Sequence, residues 1–516
     1  MKSLFSLILF LQTTPLLGVE SFELHPLFSD HAVLQQGLPV PVWGKGVPGA
    51  KVEIEFAGQQ VIGEVADSGR WQVVLESLAA NLEPQALVAT SGETILTVNG
   101  VLVGEVWIGS GQSNMGQSVS RTLAADSIPE RLEAGELDKV RLFKVPVEGS
   151  DDRLESVDAT WQLPSESSIL SFSATAFYFA AKLSADRSVP VGIIQSANGG
   201  TNAFSWINRE TFSVAPEGEV IREYWDGIVE AHPEAFAAWE KRYAKWKKQA
   251  AELRKEKKKV PRAPGEPLGP DHPKRPTGHY HAMVAPLQPF AIQGVIWYQG
   301  EANSREPFYS GYKELMLALV EDWRADWAEA SGEAVSRREF PFYLVQLPNF
   351  GGGDETGWPM IREQMLKFWQ EGKQTGMVVT IDKGEADDIH PQDKLPVGER
   401  LATFARANAY GESLVFSGPI FESLRIEDNR AVLEFKHRGS GLASFDGEPL
   451  RHFEVAAADG KFLSGIAQIS EGTVVVTHPD IAKPRAVRYA WRPNPEQINF
   501  GNVEGLPASP FRTDTW

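Results

Sequence analysis

The segment Gly109-Ser110-Gly111-Gln112-Ser113-Asn114-Met115 sets a serine among small residues directly after a short apolar run, residues 103–108. Small neighbours permit a tight turn that lifts the hydroxyl clear of a strand end. The nucleophile elbow works in the same way, although Met115 stands where that pattern has its second glycine. Asp387-Asp388-Ile389-His390-Pro391 comes after another apolar run, residues 377–381. A histidine beside carboxylates supplies a general base and the acid that orients it. After residues 189–194 comes Gln195-Ser196-Ala197-Asn198-Gly199-Gly200-Thr201, whose paired glycines let backbone N–H groups approach an oxyanion. After residues 292–297 comes Tyr298-Gln299-Gly300-Glu301-Ala302-Asn303. Here Gln299 is a further donor to developing charge, and Glu301 and Asn303 are candidates to orient it or a sugar. Taken alone, each segment also reads as an ordinary loop; together they spell acyl transfer. Ser113 attacks an ester carbonyl and His390 takes its proton. The oxyanion is held by the N–H of Ser113, the N–H of Gly199 or Gly200, and the Gln299 side chain. His390 then protonates the departing hydroxyl, and water clears the acyl-enzyme. Gln112, Asn114 and Gln117 make the surroundings polar, which suits a small substrate better than a long acyl chain.

For these residues to meet, the runs before them must lie side by side. Five apolar runs (residues 103–108, 189–194, 292–297, 342–345 and 377–381) alternate with helix-like segments. Such alternation predicts an α/β doubly wound parallel sheet of five strands, which binds ligands beyond the C-terminal ends of its strands. Residues 20–100 carry short alternating runs between Gly/Pro turns and predict an N-terminal β domain. The α/β/α domain is expected over residues 101–415, with a Lys/Arg/Glu-rich helical insertion at 208–275 that has a solvated face. Residues 416–516 return to β character and predict a C-terminal β domain. Residues 1–19 open with Met1-Lys2 and continue into a short apolar stretch, the pattern of a signal peptide. That pattern implies an exported, periplasmic or extracellular protein.

Composition removes several classes of function. The net charge of −18 disfavours nucleic acid. With no cysteine there is no disulfide, thiolate metal site or cysteine nucleophile. No H-E-x-x-H or other ligand spacing is present, so neither metal nor cofactor is expected. Beyond residue 19 no stretch is apolar enough to span a bilayer.

In order along the chain, these blocks resemble the sialate O-acetylesterase family of the SGNH hydrolase superfamily. The resemblance rests on Val33-Leu34-Gln35-Gln36 and Val42-Trp43-Gly44, on Gly104-Glu105-Val106-Trp107 leading into the Ser113 block, and on Gly199-Gly200-Thr201 with Trp206. It continues through Trp297 to Glu301, Asp388-Ile389-His390-Pro391 with Lys394, and Val487-Arg488-Tyr489-Ala490-Trp491. It implies an SGNH-type core flanked by β-sandwich or jelly-roll parts, and deacetylation of O-acetyl sugars, either sialates or hemicellulose-type glycans. Gln112, Asn114, Trp206, Glu301 and Asn303 would then contact substrate. The superfamily pattern puts the orienting acid at Asp387 and the family's own pattern puts it at Asp388, so both stand as candidates. Tyr280-His281 departs from the family's Tyr-Asn. The rival reading is a glycan-binding protein without catalysis, motivated by two β modules and 15 Trp.

Overall fold

A computed structural model describes residues 21–214, 216–332 and 339–516; the expected signal peptide lies outside them. Six strands form the parallel part of the central sheet: β1 (Thr94–Gly111), β2 (Val140–Lys144), β3 (Val191–Ala197), β4 (Gly294–Tyr298), β5 (Phe342–Val345) and β6 (Thr375–Val378). Their spatial order is β2-β3-β1-β4-β5-β6, with Trp161–Gln162 antiparallel at the outer edge of β2. The expected five-strand sheet is therefore corrected to six strands along this path, β2 being the addition, and Val33–Gln35 also pairs parallel with Leu102–Gly104 of β1. The Val-Arg-Leu-Phe-Lys sequence of β2 is short and carries two cations, but four of its five residues are buried.

The long helices are α1 (Ala174–Arg187), α2 (Pro216–Lys255), α3 (Tyr312–Ser331), α4 (Gly357–Glu371) and α5 (Leu395–Asn408). Side chains alternate along a strand, so each strand feeds two cores. Val295 and Trp297 of β4 join Leu319, Trp323 and Met365 of α3 and α4. Ile296 and Tyr298 join Phe177 and Leu401 of α1 and α5 on the opposite face. Helices thus cover both faces, which is why β3, β4 and β5 are buried at every residue.

β1 is 18 residues long. Its first half pairs antiparallel with Asn81–Ser91, and its second half runs between β3 and β4. The strand crosses residue 100, where a boundary is expected from the change in sequence pattern. One apolar core joins Val42, Ile54 and Trp71 of the N-terminal β elements to Trp297 of the central sheet. Beyond residue 416, two four-stranded antiparallel sheets share a core containing Leu433, Val455, Val474, Val487 and Phe500. In the expected insertion at 208–275, α2 is a single helix of 40 residues. The proline-rich residues 261–276 that follow fold back along it, with Trp239 Nε1 donating to Pro264 O (3.0 Å) and Trp246 Nε1 to Pro261 O (2.8 Å). Among the described residues, no helix is long and apolar enough to cross a membrane.

Chain order reverses at β1: β2 and β3 lie to one side, and β4 to β6 to the other. Such a reversal opens a crevice at the C-terminal strand ends, and Ser113 comes just after β1 there.

Candidate active site

Strand register sets the level of the site. Gly111 stands beside Ala197 of β3 and Tyr298 of β4, so two residues further on each chain come Ser113, Gly199 and Gly300. At Gly111, φ is +131° and a Cβ would lie 2.3 Å from Tyr298 O; only glycine fits both conditions. Gln112 N donates to Tyr298 O (2.9 Å) and Asn198 N to Gly111 O (3.1 Å), which fixes the turn. Ser113–Gly116 is a single helical turn. The glycine loop lies against it, since a Cβ on Gly199 would be 3.3 Å from Ser113 Cβ. Among the described residues, the N–H groups of Ser113, Gly199 and Gly200 donate to no backbone acceptor. Ser113 itself is half-buried and Gly200 is exposed.

The histidine loop is tied to the serine turn by the residue next to each. Asn114 Nδ2 donates to Ile389 O (2.9 Å), so the neighbour of Ser113 holds the neighbour of His390. Gln117 Nε2 reaches His390 O at 3.5 Å. His390 has a side-chain exposure of 31%, and its Nδ1 lies 3.6 Å from Asp388 Oδ1. The same carboxylate oxygen accepts from His390 N at 2.8 Å. Asp387 is exposed. Burial lowers the His390 pKa from its ordinary value; Asp388 opposes the shift, and the charges of Lys394 and Arg121 add to it. The imidazole is therefore neutral near pH 7, the form that the base expected from the sequence requires. We expect the acid limb of kcat/KM to have its midpoint below about 6.5, measured with a neutral ester whose own ionisation does not intrude.

The remaining polar residues of these blocks lie beneath the opening and bond to one another. Gln299 is fully buried, and its Nε2 donates to Thr201 O (3.0 Å), Asn303 Oδ1 (2.7 Å) and Gln112 Oε1 (3.2 Å). Tyr312 OH donates to its Oε1 at 3.0 Å. Its amide hydrogens are committed to loop contacts, away from the place assigned to an oxyanion. Gln112 is buried and Asn303 fully so. Gln112 Oε1 accepts from Ala302 N (3.2 Å), and Asn303 Oδ1 from Ala203 N (3.0 Å). These three side chains thereby join the loops after β1, β3 and β4. Trp206 is wholly buried, stacked on His279 at 4.8 Å, and donates to Thr201 Oγ1 at 3.0 Å. It stiffens the glycine loop from behind and offers no face to a sugar. Glu301 and Asn114 are buried and bonded to each other, Nδ2 to Oε1, at 2.5 Å.

Two residues of the site stand outside the strand-end pattern. His279, held neutral by burial at a pKa of about 3, shares a hydrogen bond of 2.8 Å with Asn198 Nδ2. Lys274 Nζ lies 3.0 Å from the place a Gly200 Cβ would occupy, so the end of the insertion reaches the glycine loop. The signal for His279 is only that it adjoins the Tyr280-His281 pair; nothing in the sequence marks Lys274. A cavity of about 350 Å³ lies under α2, lined by Arg209, Arg222, Trp225 and Arg275 among others, and Ser113 is not one of its walls. No group of three or more His, Asp or Glu among the described residues is arranged to hold a metal ion.

Comparison with known proteins places the chain among carbohydrate esterases. Residues 270–406 match the profile of a carbohydrate esterase family, sialic acid-specific acetylesterase. The mouse sialate O-acetylesterase is 28% identical over 512 residues, covering 91% of this chain and 90% of the mouse protein. The human sialate O-acetylesterase is 28% identical over 430 residues, 77% of this chain and 72% of the human one. The crystal structure of a carbohydrate acetylesterase from Xanthomonas citri superposes with a TM-score of 0.79 at 32% identity, covering 96% of this chain and all of that one. With that identity sustained over the whole of a solved relative, and with the serine, glycine and histidine loops meeting at one sheet edge, the chain belongs to the sialate O-acetylesterase family of carbohydrate esterases.

Proposed function

We propose that this protein removes O-acetyl groups from carbohydrates through an acyl-enzyme on Ser113. The observation that carries the proposal is the Asn114 to Ile389 bond. It draws the serine turn and the histidine loop together beside two glycines whose N–H groups have no backbone partner among the described residues. His390 takes the Ser113 proton as Oγ attacks the acetyl carbonyl. The oxyanion rests on the N–H groups of Ser113 and Gly199, with Gly200 beside them. His390 then gives its proton to the departing sugar hydroxyl. A water, activated by the same imidazole, attacks the acetyl-serine and restores the enzyme. Gln299 acts here as a brace between loops. Asp388 orients His390: hydrogen bonds between catalytic groups are often long in an empty site and tighten with substrate, and 3.6 Å leaves a short closure to make.

Acetyl is the acyl group because the surroundings of Ser113 are polar, and an acetylated sialate or a hemicellulose-type sugar both suit them. The core is of the SGNH type, and a signal peptide at residues 1–19 sends the protein out of the cytoplasm. The test is labelling by a fluorophosphonate followed by peptide mapping, alongside acetate release from a panel of acetylated glycans. An adduct on Ser113 together with acetate release is the expected result. A protein that binds the glycans but takes no label favours the glycan-binding reading, and activity that climbs from acetyl to octanoyl esters removes the acetyl assignment.

A further inference from the structure

Lys394 and Glu301 are both buried, on opposite sides of Asn114. Lys394 Nζ donates to Asn114 Oδ1 (2.7 Å) and Pro391 O (2.7 Å), and it lies 5.5 Å from the centre of the Tyr298 ring. Glu301 Oε1 accepts from Asn114 Nδ2 at 2.5 Å, while Oε2 is buried without a hydrogen-bond partner among the described residues. The amide of Asn114 thus has its oxygen toward the ammonium and its N–H groups toward the carboxylate and Ile389 O. This alignment lets a cation and an anion stabilise each other through a side chain of fixed orientation. Two buried charges of this kind are costly to keep, and removing one leaves the other uncompensated. Their position beneath the Ser113 and His390 loops gives that cost a purpose.

We propose that Lys394 and Glu301 are positioning residues that act through Asn114, fixing the His390 loop against Ser113 and setting the charge that His390 meets. The inference rests on the esterase reading above. Lys394 also holds Pro391 O, the carbonyl directly after His390, so the loop is gripped on both sides of the imidazole, at Ile389 and at Pro391. The charges facing His390 are Asp388 from its own loop, Lys394 from the start of α5 and Arg121 from the turns after Ser113. Those facing Lys394 are Glu301, Glu385, Asp388 and Asp393. Burial brings the Lys394 pKa down to about 7, and Glu301 leads the carboxylates that raise it. Burial raises that of Glu301, against the pull of Asn114 and Lys394. Without Glu301 the leading carboxylate that raises the Lys394 pKa is gone, so Lys394 holds its proton less well and repels a proton on His390 less. Without Lys394 the repulsion is absent altogether. Both changes therefore move the His390 pKa upward.

The experiment compares Lys394→Met and Glu301→Gln, the second nearly isosteric, using p-nitrophenyl acetate across pH. A misplaced loop is expected to lower kcat by about 10- to 100-fold in each, with KM little changed. The acid limb of kcat/KM should move to higher pH in both, while fluorophosphonate still labels Ser113. If both profiles superimpose on that of the unaltered enzyme, or if kcat stays within about twofold of it, the proposal is overturned. A shift in Lys394→Met alone overturns the part given to Glu301, and with it the relay. Should Lys394→Met fail to fold, Glu301→Gln decides by the same readout. An unlabelled Ser113 in the unaltered enzyme instead removes the esterase reading itself, so the two failures are distinct.

Discussion

Ser113→Ala is expected to reduce hydrolysis of p-nitrophenyl acetate by about 10⁴-fold or more, with Tm nearly unchanged. Both halves of the expectation come from the same geometry. The turn is fixed by other residues: Gly111 with its positive φ, the Gln112 N to Tyr298 O bond, and Asn114 with three polar partners. Ser113 is half-buried, and alanine loses only a hydroxyl that no described group needs for stability. What goes is the proposed nucleophile. Water acting in its place would keep the two N–H donors and the imidazole, so a small residual rate is consistent with the proposed chemistry. Activity near that of the unaltered enzyme is not, because the proposed chemistry has no acyl acceptor other than Ser113. Circular dichroism and a thermal melt on the same preparation separate a lost nucleophile from a lost fold.

The sequence made some of this site legible and hid the rest for physical reasons. β3, β4 and β5 are buried on both faces, so their apolar runs announce strands whatever surrounds them. Ser113, Gly199 and His390 are legible because each stands shortly past such a run, at the end of the strand where a parallel sheet binds its ligands. β2 escaped because Arg141 and Lys144 break its apolar pattern; Arg141 bonds its own neighbourhood, Nη1 to Asp138 O and Val140 O. The half of β1 before residue 101 reads as part of a separate β domain because its burial alternates, while the rest is buried throughout. For Gln112, Gln299, Glu301 and Asn303, residue type suggests contact with substrate. Whether an amide at a strand end faces out or under depends on which neighbouring loop closes over it. That is decided by packing between segments far apart in sequence, such as Ala203 N meeting Asn303 Oδ1. Asn114 marks the limit most clearly. It sits beside the proposed nucleophile, as any substrate contact would, yet its side-chain polar atoms are spent holding other loops.

The choice between Asp387 and Asp388 is open in the sequence and carries the other large effect. Asp388→Asn is expected to lower kcat by about 10²- to 10⁴-fold, because an orienting acid replaced by its amide leaves the imidazole free to take the wrong tautomer. Asp387→Asn is expected to stay within about twofold. Asp387 is exposed, whereas Asp388 Oδ1 stands 3.6 Å from His390 Nδ1 and 2.8 Å from His390 N. The backbone bond matters as much as the side-chain approach, because it fixes the carboxylate on the side of the ring that points away from a proton acceptor's task. The pH profile supplies an independent check. Asp388 raises the His390 pKa against the lowering by burial, so removing its charge lets that pKa fall further. The acid limb should therefore move to lower pH in Asp388→Asn even as the plateau drops, opposite to the direction expected of Lys394→Met. If Asp387→Asn instead suffers the loss and Asp388→Asn does not, the loop must turn over when substrate binds, and the orienting acid is the residue three before the histidine.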